Sequence, residues 1–267
     1  FENIPSPSLA LVTERVPVRP NARCLKIGQD RAREKAFFNG IGIGTAPWRE
    51  VDSPDALAAA MAEIGTPAIL KTSRLGYDGK GQVRIEADTV AEDAWAEMGA
   101  DVGVLEGFVD FEREVSVILA RGLDGGWAAF DPVENRHVHG ILDTTLAPAA
   151  IGDALGTRAV DIVRRAAEEM DLIGLLAVEM FATRSGELLV NEMAPRPHNS
   201  GHWTIDACVT DQFEQFVRAV CGLPLGDPTR HSDAEMKNLI GAAIDDWPAI
   251  LSTPNACLHL YGKRDAR

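Results

Sequence analysis

Glu179 and Glu192 offer the first chemistry that this sequence allows. Between them runs Thr183-Arg-Ser-Gly-Glu-Leu188, a polar, glycine-containing stretch joining two apolar runs, which predicts a β-hairpin. With residues 184–187 as its loop, Thr183 faces Leu188, and counting back along both strands sets Glu179 opposite Glu192 on one face. Like charges placed opposite each other across strands repel. A divalent cation between them removes the repulsion, and Mg²⁺ suits the position. It is a hard ion that takes one or two carboxylates and completes its shell with phosphate oxygens and water. Asn191 adds a neutral oxygen nearby. From pairing alone, a register shifted by one residue, with one carboxylate turned to solvent, stays open.

A second segment is Lys71-Thr-Ser-Arg-Leu-Gly-Tyr-Asp-Gly-Lys-Gly-Gln82. Lys71 ends an apolar strand, where an unpaired ammonium is costly, so an anion such as phosphate is expected beside it. Gly76, Gly79 and Gly81 let backbone N–H groups approach phosphate oxygens closely. The spacing is neither that of a Walker loop nor GxGxxG. Glycines alone would suit a plain turn equally well; Tyr77, Asp78 and Lys80 favour a loop that hydrogen-bonds a polar substrate. The third segment is Asn191-Glu-Met-Ala-Pro-Arg-Pro-His-Asn-Ser-Gly-His-Trp203. Its Arg196, His198, Asn199 and His202 supply donors for an anion or a developing oxyanion. Either histidine alone would more often be a structural hydrogen-bonder. Their density beside two carboxylates favours a site.

The elements expected to position these residues begin with a helix over 29–39, stopped by Gly40. A second helix is capped by Ser53, has Pro54 in its first turn and Leu57, Met61 and Ile64 on one face, and ends at Gly65. Strands are expected at 68–71, 82–85, 102–108, 114–119, 127–130, 175–182 and 187–193, with helices at 89–98 and 157–170. This order predicts an α+β fold of two lobes with a ligand cleft between them. Residues 28–103 form the expected small lobe and 104–250 the larger one. Residues 1–27 read as the end of a preceding domain and a linker. Residues 251–267 read as the start of another domain, with a strand beginning at 257–261. Both ends look cut, as in a fragment of a longer enzyme.

Composition narrows the function classes. At 46% hydrophobic and 25% charged over 267 residues, the chain can bury a sizeable core. It shows neither a membrane-length apolar run nor a leader, which predicts a soluble, cytoplasmic protein. Cys24, Cys208, Cys221 and Cys257 have no paired spacing, so neither zinc nor a disulfide framework is expected. A formal charge of −14 argues against nucleic acid as a partner, and any phosphate must meet a locally basic pocket.

Taken together, these motifs resemble the 5-(carboxyamino)imidazole ribonucleotide synthase family of ATP-grasp enzymes. The likeness rests on Phe1-Glu-Asn, Gln29-Asp-Arg31, Gly76-Tyr-Asp-Gly-Lys-Gly-Gln82, Glu179-Met-Phe, the 191–203 run and His259-Leu-Tyr-Gly-Lys263. It implies an ATP-grasp fold with the nucleotide between its lobes and truncated flanking domains. It implies a ligase of purine biosynthesis that joins ATP, bicarbonate and 5-aminoimidazole ribonucleotide through carboxyphosphate, as a homodimer. By the same likeness, Arg31 and Lys71 would contact ATP phosphates, and the loop Gly76, Tyr77, Asp78, Gly79, Lys80, Gly81 and Gln82 would cover them. Glu106, Gly107, Phe108 and Val109 would form the adenine-binding connector, Glu114 would accept from ribose hydroxyls, and His137 would lie at the nucleotide edge. Asn191 would join the nucleotide site, and Glu179 and Glu192 would hold Mg²⁺. Arg196, His198 and Asn199 would hold carboxyphosphate, and Tyr77, Asp78 and Lys80 the ribonucleotide, with Glu2 and Lys263 as remnants of a divided site. Asp143 stands where relatives lead one to expect a basic residue. Alternatives are another ATP-grasp ligase, against which the His198-Asn-Ser-Gly-His202 run argues, or a non-catalytic Mg²⁺-ATP module.

Overall fold

The structure is a computed structural model and describes residues 3–76 and 81–262. Three helices come first: α1 (Ser6–Thr13), α2 (Ala22–Gly28) and α3 (Arg31–Gly40). The expected single helix over 29–39 is thus preceded by a separate one. Each has its own start signal, since Asn21 accepts from the Cys24 N–H at 3.0 Å and Asp30 from the Arg33 N–H at 3.2 Å.

Strands β1 (Trp48–Val51), β2 (Ala68–Thr72), β3 (Gln82–Ile85) and β4 (Gly103–Gly107) form an antiparallel sheet in the order β1-β4-β2-β3. It is covered by α4 (Pro54–Ile64) and α5 (Ala91–Met98), which enclose Leu57, Ala60, Leu70, Ile85, Ala94, Met98 and Leu105. Ser53 caps α4 as expected, its hydroxyl accepting from the Ala56 N–H at 3.2 Å. The boundary expected at residue 103 falls on the first residue of β4, so the chain leaves this lobe only after Gly107. At the other limit, α3 packs elsewhere: Phe38 and the following Ile43 are buried with Val115, Val117 and Val178 of the larger sheet.

That larger sheet contains β5 (Phe111–Arg121), β6 (Trp127–Ala129), β7 (Val133–Val138), β8 (Ile141–Ala147), β9 (Gly174–Thr183), β10 (Leu188–Ala194) and β11 (Ala234–Lys237). Its order is β10-β9-β5-β7-β8-β11, with β6 paired to β5. The central strands β5 and β9 are buried on both faces, which is why they read as nearly continuous apolar runs. Val115, Val117, Leu119, Val178 and Met180 lie under α6 (Asp153–Glu169). On the opposite face Ile118, Ala120, Leu175 and Ala177 pack against Trp203, against Ala207 of α7 (Thr204–Ala207) and against Phe216 of α8 (Gln212–Cys221). Period-two alternation carries this second face onward to Ser116 and Glu114 on β5 and to Glu179 on β9. One face is therefore apolar at one end and polar at the other.

The segment 257–261, expected to begin a strand, has none: Leu260 and Tyr261 are exposed and no partner strand pairs with them among the described residues. Apolar alternation alone cannot make a ladder. After β11 comes α9 (Trp247–Leu251). Among the described residues no helix is long and apolar enough to cross a membrane.

Candidate active site

Glu179 and Glu192 are direct partners in the β9–β10 ladder, as expected, though by a different route. Leu188 pairs with Ala182 rather than with Thr183, and a bulge between Val190 and Glu192 then restores the opposition of the two carboxylates. Asn191 is the inserted residue, and a bulge of this kind re-aims side chains beside a site. Burial, and then the facing Glu192, pushes the Glu179 carboxyl up to about 8. Burial acts the same way on Glu192, but Arg31 and Lys71 outweigh it and hold that group below its ordinary value. Among the described residues no group of three or more His, Cys, Asp or Glu could hold a metal. A facing pair fits an ion that takes its remaining oxygens from nucleotide phosphates and water.

A cationic bracket faces this pair. Arg31 Nη1 lies 3.1 Å from Glu192 Oε2, while Lys35 Nζ and Lys71 Nζ both approach Glu106 Oε2, at 3.0 and 3.1 Å. Lys71 also donates to Asn191 Oδ1 at 3.4 Å. The anion expected beside Lys71 is thus, in the first instance, internal, and Glu106 has a counter-ion role that its place in the connector did not suggest. Burial lowers Lys71, with Glu106 opposing it, and the two lysines together keep Glu106 ionised despite its burial. Burial raises Glu34 to about 8, and its Oε2 accepts from the Met193 N–H at 3.2 Å, just beyond the bulge. Three basic groups, Arg31, Lys35 and Lys71, are thus drawn together around Glu106 and Glu192. This local concentration of basic groups suits a phosphate, in a chain whose overall charge is −14.

The start of α3 is tied to the end of β2, because Arg31 N–H donates to Ser73 O at 2.9 Å and Ser73 Oγ to Asp30 at 3.4 Å. Arg31, Glu34 and Lys35 then fall on one helical face at i, i+3 and i+4. That spacing, with a capping Asp30 before it, was the available signal for Glu34 and Lys35, neither of which stood out as a site residue from sequence. Gly81 has φ +70°, and a Cβ there would meet Thr72 Cγ2 at 2.7 Å, so the return from the glycine-rich loop requires glycine. Gln82 pairs with Lys71 and is exposed; Gly76 precedes the described gap. Tyr77, Asp78, Gly79 and Lys80, like Glu2 and Lys263, lie outside the described residues.

The connector from Glu106 to Val109 does link the two sheets. It is held by Gly107 N–H to Pro47 O at 2.8 Å and Phe108 N–H to Pro67 O at 3.1 Å, and Arg84 covers the half-exposed Phe108 ring. Glu114 on β5 is bound to His137 Nδ1 on β7, a pairing that raises the histidine's pKa although burial opposes it. Asp143, the acid at a position where a basic residue was expected, is met by Lys237 Nζ at 2.6 Å across β8 and β11.

His198 Nε2 lies 3.6 Å from Glu179 Oε1, and burial, followed by Arg196, depresses its pKa to about 4. Its backbone is clamped on both sides by buried Gln212, whose Oε1 accepts from His198 N–H at 2.9 Å and whose Nε2 donates to His198 O at 2.8 Å. Arg196 Nη1 donates to Pro197 O at 3.1 Å, and Asn199 O accepts from His202 Nδ1 at 2.8 Å. Arg196, His198 and the two carboxylates are thereby gathered at one end of the sheet, with Asn199 in the same loop.

An ATP-grasp domain model matches residues 36–213. N5-carboxyaminoimidazole ribonucleotide synthase of Brucella melitensis is 51% identical over 269 residues, a match covering 100% of this chain and 74% of that protein. The chain belongs to the N5-carboxyaminoimidazole ribonucleotide synthase family. A crystal structure of an N5-carboxyaminoimidazole ribonucleotide synthetase with ADP is 40% identical, with a TM-score of 0.95 over 100% of this chain and 71% of that one. The Aspergillus clavatus N5-carboxyaminoimidazole synthase, solved with ADP and 5-aminoimidazole ribonucleotide, is 27% identical, with a TM-score of 0.93 over 100% and 72%. As a family member the chain has the ATP-grasp fold and is an ATP-dependent ligase of purine biosynthesis.

Proposed function

We propose that this synthase-family chain uses Mg²⁺-ATP and bicarbonate to carboxylate the exocyclic amine of 5-aminoimidazole ribonucleotide, giving N5-carboxyaminoimidazole ribonucleotide, ADP and phosphate. The observation that carries the proposal is the registered Glu179–Glu192 pair, bracketed by Arg31, Lys35 and Lys71 and faced by the His198 loop. When bound at the two carboxylates, Mg²⁺ neutralises charge on the transferring phosphoryl group.

Arg31 and Lys71 orient the phosphates, with Asn191 at their side and Gly76, Gly81 and Gln82 at the roots of a covering loop. Backbone groups of Gly107, Phe108 and Val109 receive adenine, Glu106 holds Lys71 in place, and Glu114, oriented by His137, accepts from ribose hydroxyls. A bicarbonate oxygen attacks the γ-phosphorus and the bond to the ADP oxygen breaks, giving carboxyphosphate. Such a transfer depends on alignment and charge neutralisation, so no covalent protein nucleophile is needed.

Arg196, His198 and Asn199 hold the anionic intermediate and shield it from water, which would otherwise hydrolyse it. Carboxyphosphate splits into carbon dioxide and phosphate, and the carbon dioxide forms the new bond to the amine nitrogen, whose displaced proton passes to that phosphate. Tyr77, Asp78 and Lys80 engage the ribonucleotide. A homodimer in the cytoplasm completes the reading, supported by the family resemblance. The test is phosphate release from ATP with bicarbonate present, measured with and without 5-aminoimidazole ribonucleotide. Strong stimulation by the ribonucleotide is expected; an unchanged rate would contradict the assignment.

A further inference from the structure

The polar end of the large sheet's second face carries a file of neutral side chains leading away from the charged site. Thr145 Oγ1 donates to Asn135 Oδ1 at 3.0 Å, and Asn135 Nδ2 donates to Ser116 Oγ at 3.0 Å. Ser116 Oγ donates to Ser200 Oγ at 2.8 Å, and Ser200 Oγ lies 2.8 Å from His198 Nδ1. All four side chains are buried, at positions where alanine or valine would avoid the cost of desolvating a hydroxyl or an amide. Such a file stands only if every member is satisfied, and here the donors and acceptors run in one direction.

Two groups set that direction. The Asn135 Nδ2 can only donate, so Ser116 accepts from it and passes its single proton to Ser200, leaving the Ser200 proton for His198 Nδ1. Independently, the Ser200 backbone N–H, which also can only donate, reaches the same Nδ1 at 3.3 Å. Nδ1 therefore accepts, and the ring proton sits on Nε2, the atom facing Glu179 Oε1 at 3.6 Å.

We propose that Thr145, Asn135, Ser116 and Ser200 are positioning residues that fix His198 as its Nε2–H tautomer, a hydrogen-bond donor aimed at the anionic end of the site. Resting on the carboxylation reading above, this makes His198 a donor to carboxyphosphate oxygen and closes Nδ1 to proton traffic with substrate. The file also explains why Ser116 interrupts the otherwise apolar run from Val115 to Ala120.

The test is long-range ¹H–¹⁵N correlation spectroscopy of histidine-labelled protein near neutral pH. In the wild type, His198 should show an unprotonated Nδ1 and a protonated Nε2; protonated Nδ1 would overturn the proposal without any variant. Asn135→Asp removes the donor, so Ser116 must donate to residue 135 and Ser200 to Ser116, which offers Nδ1 a lone pair. The Ser200 N–H, at 3.3 Å, is a longer contact with Nδ1 than the 2.8 Å hydroxyl contact that reverses, so the population should move toward Nδ1–H, with kcat falling about tenfold, the equivalent of about one hydrogen bond, and KM for ATP little changed. Adding Ser116→Ala to Asn135→Asp cuts the file and should return the wild-type tautomer. An Asn135→Asp protein that folds and keeps the wild-type tautomer would refute the file's role. Loss of ribonucleotide-stimulated turnover in the wild type would instead refute the carboxylation reading, leaving the tautomer result intact.

Discussion

Around Glu106 one carboxylate serves two ammonium groups, and all three side chains are almost wholly buried. Removing the charge there leaves Lys35 and Lys71 facing each other without a counter-ion. Breaking a buried pair from one side costs more than the pair contributes, so Glu106→Gln should destabilise the fold by about 3–5 kcal/mol in urea titrations. Mg²⁺-ATP, through its phosphates, should recover part of that loss by supplying a replacement anion. This arrangement was only half legible in the sequence. Lys71 stood out because its strand is apolar, but its partner could not be named, since Glu106 lies across a sheet whose strand order no local pattern reveals. The same holds for Ser116, whose four-membered file joins β5, β7, β8 and the 198–202 loop.

At the scale of elements, the short hairpin strands and the capped helix were readable because alternation and capping are local. The opposition of Glu179 and Glu192 was readable as well, yet it is produced by a one-residue hairpin offset that the Asn191 bulge cancels, and bulges leave no mark in a hydrophobic pattern. The 195–203 loop depends on tertiary fit. A Cβ on Gly201 would meet Ile118 Cδ1 at 2.3 Å and Gln212 Oε1 at 2.6 Å, pressing on both the sheet and the clamp that holds His198. Gly201→Ala should therefore cost about 1–3 kcal/mol by overpacking. Its kcat should fall by more than its stability loss explains, measured as turnover against the unfolding midpoint, because the displaced Gln212 no longer seats His198.

For the whole molecule, two lobes that fold around separate apolar cores meet over a charged site that sets Glu34, Glu106, Glu179 and Glu192 among Arg31, Lys35 and Lys71. Glu34, ordinarily near 4.5, is raised to about 8 by burial, and its Oε1 has no hydrogen-bond partner among the described residues. Between those values the folded protein binds a proton that the unfolded chain does not, so this contribution to stability is complete below about pH 4.5 and disappears as pH rises toward about 8. Denaturation between about pH 5 and pH 8, without nucleotide or metal, should show stability falling with pH, and Glu34→Gln should flatten the slope by up to one proton. The two-lobe plan followed from the order of elements, whereas the transfer of α3 to the larger core did not, because an amphipathic helix does not declare which sheet it will cover.

If the site phosphorylates bicarbonate before carbon reaches the amine, as proposed, with Glu179 and Glu192 holding the metal, the oxygen joined to phosphorus must come from bicarbonate. The measurement supplies ¹⁸O-labelled bicarbonate with Mg²⁺-ATP and 5-aminoimidazole ribonucleotide and determines the mass of the phosphate released. Attack by a bicarbonate oxygen on the γ-phosphorus leaves that oxygen on phosphate when carbon dioxide departs. One ¹⁸O per phosphate is the predicted result, with no phosphate formed by a folded Glu192→Gln protein. Unlabelled phosphate would rule out transfer to bicarbonate, and labelled phosphate released at the wild-type rate by Glu192→Gln would rule out the metal role of that carboxylate.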